Sequence, residues 1–115
     1  EVAQTINVWH SYQSSMLSYF NDHDLLICPV NAHTAILHEQ QENMLDYSYT
    51  MAYNLTGWPS VVIRAGTDET GLPIGIQILA APFREDRCLA MASFLEDKLG
   101  SFSLPDIYSG AHSEI

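Results

Sequence analysis

Cys28 and His33 stand five residues apart in a chain of 115 residues, and the pair invites reading as a nucleophile and its base. A reactive cysteine needs its thiolate, and so an electropositive, partly exposed setting. Cys28 instead closes the run Leu25-Leu26-Ile27-Cys28, which reads as a buried apolar strand where a thiol stays inert. His33, His38, Glu39 and Glu42 offer metal-ligating chemistry. Their spacings match no compact site, and no Cys or His pair elsewhere completes them. A solvated loop accounts for all four.

Composition narrows the partners. Fourteen acids against four bases give a net charge of -10. Phosphate binding needs clustered Lys and Arg, so the balance argues against nucleic acid as a partner of this chain and disfavours an anionic membrane surface. The ordinary use of such acidity is solubility. The two cysteines, Cys28 and Cys88, form no C-x-x-C pair, which predicts a reduced, cytoplasmic setting. Asn54-Leu55-Thr56 fits a glycosylation sequon, but its apolar surroundings predict that it stays unmodified. No apolar run reaches the roughly 20 residues of a transmembrane segment, and nothing reads as a signal peptide. Glu1 stands first, without an initiator Met, and opens directly into a helical pattern, so the expectation is a chain that starts inside a longer protein.

Val2, Ile6, Trp9, Gln13, Met16, Leu17 and Phe20 recur at helical spacing, which predicts an amphipathic helix over residues 1 to about 21. Leu25 to Cys28, stopped by Pro29, predicts a strand buried on both faces, as in an α/β sheet. Residues 30 to about 45 are polar, and a structureless stretch of that length is often functional. A short helix is expected from about Asp46, as N-cap, to Asn54, with Gly57 past its end. Ser60 to Arg64 and Pro73 to Leu79 read as a hairpin around a turn that ends at Gly71. Gly75 leaves room for a close approach within its strand. Glu85 and Asp86 open the last helix, and Gly100 closes it. Residues 1–100 therefore form one segment, followed by a polar tail at 101–115. Three strands and their helices leave apolar faces that more sheet and more helix would have to cover.

Asp24-Leu25-Leu26-Ile27-Cys28-Pro29, then Tyr49 to Ser60 with Asn54-Leu55-Thr56-Gly57-Trp58-Pro59, then Gly71-Leu72-Pro73-Ile74-Gly75-Ile76-Gln77-Ile78 stand in a specific order. Together they resemble the C-terminal part of the amidase signature family. Ser48 to Asn54 and Leu79 to Leu89 are also similar to the fatty-acid amide hydrolase branch. The resemblance implies an α/β fold: a C-terminal fragment of the mixed β-sheet, flanked by helices, that this family builds. It implies carboxamide hydrolysis in the whole protein by a Ser-Ser-Lys triad, with no metal or organic cofactor.

Such a triad needs a low-pKa amine beside a hydroxyl relay, and backbone N–H groups for the oxyanion. Lys98, the only lysine, ends a helix beside Glu96 and Asp97, where its charge suits the dipole and solvent. Ser14-Ser15 lies within a helical pattern that lacks glycines. No catalytic residue is therefore assigned here, and the expected partner is the N-terminal remainder of the amidase, acting on a small-molecule or acyl amide. The resemblance places Ser48, Met51 and Phe83 along the acyl-side channel. Met adapts and Phe offers broad apolar area, which suits an acyl group, although core packing is their ordinary use. The alternative function is a free-standing, non-catalytic binding or assembly module.

Overall fold

The computed structural model describes residues 1–40 and 43–100; the expected tail at 101–115, and Glu42, lie outside the described residues. Helix α1 spans Val2–Leu17 and runs into a short 3-10 helix, Ser18–Asn21. Strand β1 is Leu26–Pro29. A second 3-10 helix, Met44–Tyr47, leads into α2, Ser48–Thr56. Strands β2, Ser60–Thr67, and β3, Pro73–Leu79, precede α3, Glu85–Leu99.

The three strands form one antiparallel sheet in the order β1-β3-β2. Val61 faces Ile78 and Ile63 faces Ile76 across the hairpin. These alternate residues share one face of the pleat. There Ile63, Ile78 and Ala92 of α3 form the core, with Leu25, Val61, Ile76, Met91 and Leu95 packed against them. Cys28 and Gln77, also paired, lie on the opposite face. That face meets α2: the Cys28 thiol donates to Tyr53 Oη at 3.7 Å, and Gln77 Nε2 donates to Tyr49 O at 2.7 Å. Helix α1 reaches α2 through Trp9 Nε1 and Gln13 Nε2, both donating to Leu55 O. Those two bonds occupy one of the carbonyls that a helix end leaves unpaired.

Several boundaries differ from expectation, each for a local reason. Strand β1 is not buried on both faces: its burial alternates, and Ile27 is 44 % exposed. Among the described residues it is an edge strand paired on one side, and the continuous apolar run finds no cover beyond it there. Asp46 does not cap α2; it sits within the 3-10 helix, whose cap is Asn43, with the Asn43 side chain accepting from Leu45 N. Strand β2 runs past Arg64 to Thr67 because a bulge between Arg64 and Gly66 absorbs Ala65 and keeps the pairing. Gly57 ends α2 in the left-handed region at φ 72°, as a C-terminal glycine does. At Gly75 an added Cβ would lie 3.3 Å from Val30 Cγ2 and 3.5 Å from Val62 Cγ1, so the missing side chain permits that approach.

Candidate functional site

Ser48 and Met51 lie in the first turn of α2, three residues apart and so on one side of the helix. Both are exposed, Met51 at 45 %. Their helix is held at its start by Gln77, which is buried and donates from Nε2 to Tyr49 O and, at 3.0 Å, to Pro29 O. Both partners are acceptors, so only the amide nitrogen can face them. One side chain thus joins β1, β3 and α2.

Phe83 sits in the turn between Pro82 and α3. It is 90 % exposed, with φ at 64°. The left-handed region is an outlier for a bulky residue and costs roughly 1–2 kcal/mol. Among the described residues, this strained, outward-pointing aromatic does not pack in the core. Next to it, Arg84 forks onto Asp86 with bonds of 2.9 and 2.8 Å, and this guanidinium holds the Asp86 carboxyl down at about 2.

A cavity of about 530 Å³ opens beside the start of α2, with His33, Thr34, His38, Asp46, Tyr47 and Pro73 in its wall. His33 Nε2 lies 3.7 Å from Asp46 Oδ1. A smaller cavity, about 160 Å³, continues between residues 30–34 and 73–75. Ser48, Met51 and Phe83 line neither. The polar stretch after Pro29 is the sequence signal for this cavity, but nothing in its residues shows that Asp46 and Tyr47 close it.

The other candidates separate. Cys28 meets Tyr53, while His33 meets Asp46, so the two do not form a nucleophile–base pair. Burial, with the Cys28 contact second, pushes the Tyr53 phenol up to about 12, which keeps it protonated. Among the described residues, no three of His, Cys, Asp and Glu converge on a point that could hold a metal ion. Lys98 lies in the last turn of α3, its Nζ 5.9 Å from the Phe94 ring centre. Ser14 and Ser15 are exposed on α1. No helix among the described residues is long and apolar enough to cross a membrane.

The family model described as Amidase matches residues 2–89, most of the chain. The chain belongs to the amidase family. This amidase chain is 38 % identical over 64 residues to a Glutamyl-tRNA(Gln) amidotransferase subunit of Methylorubrum extorquens, and 34 % identical over 62 residues to its counterpart in Rhodopseudomonas palustris. Those matches cover 56 % and 54 % of this chain, and 13 % of the length of each relative. Among solved structures, 6-aminohexanoate cyclic dimer hydrolase superposes with a TM-score of 0.73 at 25 % identity, covering 85 % of this chain and 24 % of that one. The corresponding Glutamyl-tRNA(Gln) amidotransferase subunit of Thermotoga maritima shares the fold at a TM-score of 0.78 and 21 % identity, covering 91 % of this chain and 25 % of that one. The family match includes α1, which lies ahead of the sequence motifs that carry the resemblance.

Proposed function

We propose that this chain is the C-terminal part of an amidase that hydrolyses a carboxamide to a carboxylate and ammonia or an amine. The observation that carries the reading is the coverage: most of this chain aligns with about a quarter of a solved amidase-family hydrolase. On this reading the Ser-Ser-Lys triad belongs to the rest of the protein, which is the partner of this part. Residues 1–100 supply sheet scaffold and one wall of the substrate channel. The exposed apolar side chains Ile27, Val62, Leu89 and Phe94 support a second body of sheet and helix against this one.

Ser48, Met51 and Phe83 are the proposed channel residues. Their exposure in this chain supports the assignment, since a residue already packed in the core could not meet a substrate. Met51 and Phe83 favour an apolar acyl group on the amide. A part with fourteen acids and four bases is poorly suited to hold RNA, so a nucleic acid is not proposed as its ligand. The test is hydrolysis by the whole amidase of a panel of primary and N-substituted amides, read as carboxylate and amine released in equal amounts. A whole protein that cleaves none of them would overturn the reading.

A further inference from the structure

Val30 packs closely on Gly75 of β3, and the smaller cavity lies between residues 31–34 beyond it and residues 73–75. Val30 N donates to Gly75 O, at 3.4 Å. Past that point, Thr34 Oγ1 donates to Asp68 Oδ2 at 2.7 Å, tying the wall to the β2–β3 turn. The other oxygen of Asp68 is already occupied. Oδ1 accepts from Thr70 N at 2.8 Å, Thr70 Oγ1 at 2.7 Å and Leu72 N at 2.9 Å. The carboxylate is therefore fixed by its own turn before Thr34 arrives. Hydrogen bonds to a charged acceptor are among the stronger ones.

We propose that Asp68 is a positioning residue: by fastening Thr34 it holds the His33–Thr34 wall in place and keeps the larger cavity in shape for a polar part of the amide substrate. The proposal rests on the amidase reading above. Two parts of the cavity wall are then held by different devices. Gln77 anchors the helix that follows Asp46 and Tyr47, and Asp68 fastens Thr34, 34 residues earlier in sequence, next to His33, whose Nε2 lies 3.7 Å from Asp46 Oδ1. Pro73 lines both cavities.

Thr34→Val tests this cleanly, since it removes the donor, keeps the shape and leaves the turn's own bonds to Asp68 intact. As single changes, Thr34→Ser and Asp68→Asn should both keep the tie, because serine keeps the hydroxyl and an Asn amide can donate to the Thr34 oxygen. Two readouts in the whole amidase are compared. In Thr34→Val, amide hydrogen exchange over residues 31–37 should accelerate about tenfold or more while β2 and β3 keep their protection. KM should rise roughly threefold to tenfold with kcat little changed, as lost ground-state binding predicts. Unchanged exchange, faster exchange with unchanged KM, or a Thr34→Ser that behaves like Thr34→Val would each overturn the proposal. If the whole protein hydrolyses no amide, the amidase reading fails by itself, and the exchange comparison alone decides whether Asp68 holds the wall.

Discussion

Replacing Gln77 by Met should loosen the start of α2 more than any other single change in the sheet. Gln77 is 2 % exposed, and its amide nitrogen serves Pro29 O at 3.0 Å and Tyr49 O at 2.7 Å. Met nearly conserves the volume, so the cavity cost is small. What is lost is two hydrogen bonds, each worth roughly 0.5–1.5 kcal/mol net, and two carbonyls lose a donor. The expected destabilisation is about 2–3 kcal/mol. The assay is urea unfolding of the whole amidase, with steady-state kinetics alongside. Because Ser48 and Met51 follow the moved backbone, KM should rise together with the stability loss. Gln77→Glu should be worse at neutral pH, since a carboxylate would face two acceptors. A loss below about 0.5 kcal/mol for Gln77→Met would refute the idea that this amide joins β1 to α2.

The purified 115-residue chain should hydrolyse no amide, because it offers neither a Ser pair near glycines nor a lysine free of a helix end; turnover that disappears on mutating Cys28 or Lys98 would contradict this. The isolated chain should self-associate through Ile27, Val62 and Phe94 and its two open strand edges, as sedimentation would reveal; a monomer with a sharp, concentration-independent melt would count against it. Hydroxyls of Thr70 and Thr34 and two backbone amides hold the Asp68 carboxyl down at about 2, from an ordinary 3.8. Its contribution to stability is full above that ordinary value and fades as pH falls toward the lowered one, so Asp68→Asn should flatten the acid limb of stability there, and an unchanged limb would speak against it.

Elements with a local signature are legible in the sequence. The helical spacing of α1, the hairpin around Gly71 and the acids opening α3 all lie where their residue patterns put them. Strand β1 departs from expectation because an apolar run cannot say whether neighbours exist to cover it. Gln77 stands between Ile76 and Ile78, an alternation that usually sends the polar residue to solvent; here α2 covers it instead. The Thr34–Asp68 bond joins residues 34 apart and has no periodicity to betray it. Phe83 belongs to the candidate site by resemblance alone, and its left-handed backbone has no sequence signal, since aromatic residues rarely adopt it.

The proposed channel wall is tested most directly by a chain-length series of amides on Met51→Ala and Phe83→Ala in the whole amidase, with melting temperature measured alongside. Each buried methylene is worth about 0.8 kcal/mol. Losing contact with two or three should cost long-chain amides roughly 1.5–2.5 kcal/mol, or about tenfold to seventyfold in kcat/KM, and leave short ones nearly unchanged. If Phe83 faces the channel, Phe83→Ala should leave the melting temperature close to that of the parent, because the ring, 90 % exposed in this chain, then meets substrate and not core. A flat dependence on chain length together with a lowered melting temperature would contradict the account and return both residues to packing.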